Sequence, residues 1–297
     1  MIHNYTAQNN LAPDDKALPY ITLLKLVFAM LGGNIIYYFL QNAIWEFFKN
    51  SGDLYLFYCA AKLIYSGEIN QLYNYSYYQE IVKTIGPYQN PPLFAILLSP
   101  LTVLPWNKFM LFWLGFNQLL LILAVVLVIS ELKEYNLWAI LSLILLCFMY
   151  GPIIANTHYG NSNVIIWVCT ISAWWLFRRN HQIACGIVIS VGFLIKLSPA
   201  VLIGYFLFRR SYRVVLAYLA TTCIVTALTW FPLHGFEAYW AWYSEMLPRM
   251  NSGSGLGGAP SNQSILSFFI KLSNSGFIHN ESINIAANIF RLLLLFW

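Results

Sequence analysis

The stretch IACGIVISVGFLIKLSPAVLIGYFLF, residues 183–208, carries a single charged side chain, Lys196. An uninterrupted helix of that length would rise about 39 Å and overrun the roughly 30 Å hydrocarbon core of a bilayer. Ser198-Pro199 follows the lysine almost at once, and proline removes a helical donor while clashing with the preceding turn. The run therefore reads as two short apolar helices, 183–195 and 198–208, meeting at a polar break. Helices this short must thin the bilayer or border a water-filled crevice inside the protein, and a crevice is what a membrane enzyme needs.

Working outward, the same character extends over the chain, which is 59% hydrophobic and 9% charged with a mean hydropathy of +0.62. Such a composition excludes a soluble domain and implies an all-α polytopic membrane protein. A tail over residues 1–19 precedes a first span at about 20–40. Further apolar runs lie near 109–130, 137–152, 164–177, 212–232 and from about 283, so residues 20–297 read as one domain of about eight transmembrane helices. The first run has no small-residue cleavage site behind it and reads as an anchor. The net charge of +5 is spread over basic residues at segment ends, which argues against nucleic acid as a partner. Cys59, Cys147, Cys169, Cys185 and Cys223 show no CxxC spacing and imply neither a zinc site nor a disulfide framework.

Lys and Arg in short loops set orientation. Arg178-Arg179, Arg209-Arg210 and Arg213 mark cytoplasmic turns, and Lys16 and Lys133 agree. The connection at 153–163, the break at 196–199 and the loops at about 41–108 and 233–282 then face the extracytoplasmic side. The run Leu93–Leu104, bounded by Pro91-Pro92 and Pro105, would reverse everything downstream if it spanned; it reads as a juxtamembrane or re-entrant helix. With this topology the polar and ionisable residues collect on the outer face.

Asp53 is the sole aspartate after Asp14 and Asp15 in the tail. Two readings stand: it caps an interfacial helix, 54–65, that Gly67 ends, or it is a general base, made more basic by nearby apolar surface. No Asp-x-Asp pattern accompanies it, so a metal is not supported. Tyr88-Gln89-Asn90-Pro91-Pro92 is a stiff extended turn that either only punctuates the loop or presents Tyr88 and Asn90 to a substrate. His158-Tyr159-Gly160-Asn161-Ser162-Asn163 either caps the following helix or forms a polar floor for a sugar or phosphate, with His158 as donor. Lys196 either snorkels to the interface or holds an anionic lipid headgroup. Residues 253–258 are glycine-rich without the Lys-Ser/Thr ending of a phosphate loop and read as a linker. Asn262 and Gln263, just after it, cap a helix over 265–272 or touch substrate.

Taken in order, the acid after the first span, the Tyr-x-Asn-Pro-Pro turn, the Gly-Asn-x-Asn loop, the arginines behind it, the Lys-x-x-Pro break and the late Asn-Gln-Ser resemble the GT-C glycosyltransferases. The closest likeness, over about residues 45–272, is to glycosyltransferase family 87, whose members include polyprenol-phosphate-mannose-dependent mannosyltransferases. The resemblance implies a GT-C-like helical bundle in the cytoplasmic membrane, an outward-facing active site, no cofactor, and inverting transfer of a hexose, mannose foremost, from a polyprenyl-phosphate donor to a lipid or glycan acceptor. It implies Asp53 as base, Lys196 with His158 at the departing lipid phosphate, and Tyr88, Asn90, Asn161, Asn163, Asn262 and Gln263 near substrate. It also implies C-terminal spans beyond Arg291–Trp297, so the chain is expected to be truncated. A lipid or solute transporter is the rival reading, though neither internal repeats nor a charged through-path is visible; a non-catalytic assembly protein or inactive fragment is the third. A topology reporter fused at Asn107 is expected to score extracytoplasmic; a cytoplasmic score overturns the re-entrant assignment of 93–104.

Overall fold

The computed structural model describes residues 17–49, 51–82, 87–131, 137–230, 236–251, 270–272 and 275, and every element among them is helical. Two compact units emerge, residues 1–53 with 113–165, and residues 54–112 with 166–297.

In the first unit the helix Ala17–Phe39 continues past the expected end of the first span, through a π-helical segment, Leu40–Trp45, into Glu46–Lys49. Asn42 Nδ2 donates to the Tyr38 carbonyl at 2.8 Å, supplying a side-chain partner where the wider π turn disturbs the regular ladder. Phe39, Ala43 and Phe47, spaced four apart, form a buried stripe on which the helix Gly151–Tyr159 packs. Leu137–Met149 lies against Ala17–Phe39 through two edge-to-face pairs, Phe28–Trp138 and Phe39–Phe148. Past Tyr150 the chain bends by 55° into Gly151–Tyr159. The sequence suggested a connection over 153–163; most of it is helix instead. Pro152 in the first turn is compatible with a helix start, and Gly160, at φ 67°, provides the left-handed stop.

The second unit is organised around the break at Lys196. Gln182–Ile195 ends at Lys196, whose backbone is extended at φ −156° and ψ 136°, and a short 3-10 turn, Ser198–Ala200, leads into Val201–Phe208. Phe206, near the end of the returning helix, shares a buried cluster with Ala173, Val214 and Cys185, the last near the start of Gln182–Ile195. The second helix therefore runs back toward the end from which the first one started. Lys196 stands at one end of this hairpin and the Arg178-Arg179 and Arg209-Arg210 turns at the other. Aromatic side chains hold the arginines at their end: Arg178 lies over Trp174, Arg179 over Trp175 and Arg209 over Tyr205, favourable cation–π placements at helix ends.

Gln182–Ile195 and Tyr212–Thr229 pack closely because small residues line their contact. A Cβ on Gly186 would lie 2.3 Å from the Val214 carbonyl oxygen, and one turn on, the Ser190 and Thr222 hydroxyls pair at 2.9 Å. Small residues four apart with a hydroxyl contact are a means of helix association in lipid, where apolar side chains gain little from leaving an equally apolar solvent. The run 93–104 forms a helix, Pro92–Leu98, and a 3-10 turn, Ser99–Val103. Leu93, Phe94, Ala95 and Leu98 are buried, and the helix packs against Gln182–Ile195 and Tyr212–Thr229.

Three stretches, Lys25–Ser66, Trp106–Ile129 and Tyr212–Thr229, are long and apolar enough to cross a membrane, or four if the bent pair Ile140–Met149 and Gly151–Tyr159 counts as one. Asn163–Arg178, Gln182–Ile195 and Ser198–Phe208 are apolar but shorter. The described residues thus carry fewer full-length spans than the eight expected; the run from 283 lies outside them. Large apolar side chains such as Leu119 and Leu228 stand two-thirds or more exposed, which suits a surface facing lipid. Gly186→Ala is expected to lower stability by about 1–3 kcal/mol through overpacking. Gly204→Ala, where an added Cβ meets nothing within 4 Å, should leave stability unchanged or raise it by up to about 1 kcal/mol. Thermal melts of both variants in detergent check the pair.

Candidate functional site

Asp53 lies in the first turn of the helix Gly52–Ser66, one residue inside the start that the sequence suggested it would cap. Gly67 ends this helix as expected, at φ 80°. The Asp53 carboxylate is half-buried, and Asn161 Nδ2 donates to its Oδ2 at 2.5 Å. That contact joins residues 108 positions apart and fixes the rotation of the carboxylate. Asn161 is itself held by the turn that ends Gly151–Tyr159. Its backbone N–H donates to the Asn156 carbonyl at 2.9 Å and the Gly160 N–H to Thr157 at 3.2 Å, the two bonds of a Schellman ending. Trp113 Nε1 donates to the Gly160 carbonyl at 2.8 Å. His158, in the last helical turn, stacks on Tyr159 with ring centroids 4.4 Å apart. Asn163 opens the next helix, Asn163–Arg178.

In the second unit Asn90 and Lys196 are brought to one place. Asn90 Nδ2 donates to the Ile195 carbonyl at 3.1 Å, one of the last four carbonyls that a helix cannot satisfy itself. The turn bearing Asn90 is secured at three consecutive carbonyls. Trp242 Nε1 donates to Gln89 at 3.0 Å, Tyr73 Oη to Asn90 at 2.9 Å and Tyr88 Oη to Pro91 at 3.0 Å. Burial pushes the Tyr73 and Tyr88 hydroxyls well above the ordinary phenol range, so both keep the proton they donate. Tyr88 is wholly buried, its hydroxyl engaged by the Pro91 carbonyl. Asn90 is the polar side chain that the turn delivers.

Asp53 with Asn161, and Asn90 with the backbone beside Lys196, are thus each gathered as pairs, while His158 and Asn163 flank the first. Asn262 and Gln263 lie outside the described residues. Tyr73, Trp113 and Trp242 went unnoticed in the sequence, where an aromatic in an apolar chain carries no mark of its hydrogen-bond partner. Asn156 had a readable signal, an asparagine at the helix-end position whose side chain usually makes an apolar contact. Among the described residues no group of three or more His, Cys, Asp or Glu could hold a metal ion.

Residues 88–297 match the sequence profile of glycosyltransferase family 87. The chain belongs to that family. It is 29% identical over 168 residues to a polyprenol-phosphate-mannose-dependent alpha-(1-2)-phosphatidylinositol mannoside mannosyltransferase of Mycobacterium tuberculosis, a stretch covering 52% of this chain and 38% of that protein. A protein of the same name from Mycolicibacterium smegmatis is 26% identical over 170 residues, again 52% of this chain and 38% of the relative. A phosphatidylinositol pentamannoside mannosyltransferase of the same organism is 26% identical over 174 residues, 54% of the chain and 38% of the relative. The chain therefore matches well under half the length of these relatives. No solved structure matches it. In this family-87 chain, Tyr88, Asn90, His158, Asn161, Asn163 and Lys196 fall within the profile match and Asp53 precedes it.

The unfolded chain loses phenolic protons near pH 10, whereas Tyr73 and Tyr88 hold theirs in the folded state. Their contribution to stability is complete below about pH 10 and is lost as pH rises through the range up to their folded values. Replacing both by phenylalanine should cost about 1–3 kcal/mol per lost donor at neutral pH and flatten the alkaline loss by up to about 1.4 kcal/mol per pH unit for each tyrosine. Melting curves between neutral pH and pH 11 read both effects.

Proposed function

We propose that this chain transfers a hexose, mannose foremost, from a polyprenyl-phosphate donor to a lipid or glycan acceptor at the extracytoplasmic face of the cytoplasmic membrane. Membership of family 87 carries this reading, and the relatives' names point to polyprenol-phosphate-mannose as donor and a phosphatidylinositol mannoside as acceptor. Asp53 takes the proton of the acceptor hydroxyl as that oxygen attacks the anomeric carbon. The bond to the phosphate oxygen breaks on the opposite side, so the configuration inverts, and the lipid phosphate leaves with the electron pair. Phosphate is a good leaving group and needs one base and charge stabilisation rather than a second acid.

Lys196 supplies that stabilisation, with His158 as a helper, offsetting negative charge that grows on the phosphate in the transition state. Asn90 positions Lys196 through the Ile195 carbonyl, and Tyr88 acts by holding the Asn90 turn. Asn161 orients Asp53; Asn163, Asn262 and Gln263 complete the contacts to substrate. The Arg turns support the sidedness, because they stand at the opposite end of the helical hairpin from Lys196 and basic residues favour the cytoplasmic end.

Protein purified into lipid and given radiolabelled polyprenyl-phosphate mannose with phosphatidylinositol mannoside is expected to form product. Asp53→Asn should slow transfer by about 10²–10⁴-fold, the range for loss of a general base, and Asn161→Ala by a smaller factor. Equal transfer by Asp53→Asn and wild type removes the assigned base. Absence of transfer by wild type with any polyprenyl-phosphate sugar removes the reading itself in favour of a transporter or assembly role.

A further inference from the structure

Asn156 is 2% exposed, and among the described residues neither its Oδ1 nor its Nδ2 has a hydrogen-bond partner. Burying an amide in that condition is unfavourable, and a leucine of nearly the same shape would avoid the cost. The residue across the turn shares this condition at one of its two amide atoms. Asn161 donates its backbone N–H to the Asn156 carbonyl, and the two side chains occupy the positions that in Schellman endings commonly touch through apolar groups. A carboxylate oxygen only accepts, so the bond to Asp53 settles the orientation of the Asn161 amide, with Nδ2 toward the acid and Oδ1 away from it. That Oδ1 is also buried and, among the described residues, without a partner.

We infer that Asn156 and Asn161 form a recognition pair for the hydroxyls of a sugar ring, placed beside the base. This rests on the glycosyl-transfer reading. The pair offers two acceptor oxygens, one on each amide, and one donor nitrogen with two hydrogens, on Asn156. Sugar hydroxyls both donate and accept and can satisfy all three atoms at once. A phosphate at neutral pH chiefly accepts, so it would leave the two amide oxygens unpaired and meet the Asp53 charge as well. The ligand chemistry is therefore a neutral polyhydroxylated ring, either the sugar of the lipid donor or a glycosyl group of the acceptor. The anionic phosphate belongs elsewhere.

The test compares wild type and Asn156→Leu, as the full chain in nanodiscs, by melting temperature and by binding of three lipids: polyprenyl-phosphate mannose, bare polyprenyl phosphate and a phosphatidylinositol mannoside. Asn156→Leu is expected to melt at or above wild type and to bind bare polyprenyl phosphate equally well. It should lose about tenfold or more in affinity, the equivalent of one hydrogen-bonding group, for one sugar-bearing lipid, and which lipid it is tells donor from acceptor. Undiminished binding of both sugar-bearing lipids by Asn156→Leu overturns the inference and leaves the glycosyl-transfer reading standing. Melting well below wild type overturns it too, since the amide would then already be satisfied within the protein or by a buried water. If wild type binds polyprenyl-phosphate mannose no more tightly than bare polyprenyl phosphate and shows no affinity for the mannoside, the glycosyl-transfer reading falls, and the inference with it.

Discussion

A helix that breaks among apolar surroundings must find donors for the carbonyls it frees, because lipid offers none. In the second unit that donor is Asn90, whose side-chain amide reaches the Ile195 carbonyl and lets the chain turn at Lys196 without leaving that carbonyl unpaired. The requirement propagates outward. Asn90 can serve only if its own turn is rigid, and that turn is rigid because Trp242, Tyr73 and Tyr88 occupy its carbonyls at 89, 90 and 91. Four side chains from three separate stretches are thereby committed to one break, and the lysine it exposes is the cation with which we associate the lipid phosphate.

The first unit meets a related demand differently. Gly151–Tyr159 closes its own last carbonyls through the left-handed Gly160, and Trp113 takes the Gly160 carbonyl that results. This frees the side chains around the turn from capping duty. Asn161 is then available to hold Asp53, and among the described residues the Asn156 side chain is buried without a hydrogen-bond partner. Polar atoms left in that state are uncommon in folded proteins.

Much of this was legible locally. Proline at 199 and lysine at 196 each carry a cost that depends on few neighbours, so the break in 183–208 could be read from spacing, as could the stop at Gly67, whose positive φ a glycine adopts without strain. Asp53 stood out because a carboxylate is rare in such a composition. Other features were hidden for identifiable reasons. The helix over 151–159 is hidden because its polar residues, Asn156 through His158, mimic loop composition, while Asn156 and Thr157 are buried. The continuation past Leu40 is hidden because a π segment, Leu40–Trp45, leaves no mark in hydropathy. No sequence pattern says that the Tyr88 hydroxyl is spent on Pro91.

The sequence by itself determined the solvent, the helical class, the break at Lys196 and the family, since these follow from residue composition and from ordered motifs. Only the tertiary structure decided which polar groups meet: Asn161 on Asp53 across 108 residues, Asn90 on Ile195 across 105, Trp242 on Gln89 across 153. A hydrogen bond depends on distance and direction in space, and in a helical chain neither can be read from separation along the sequence.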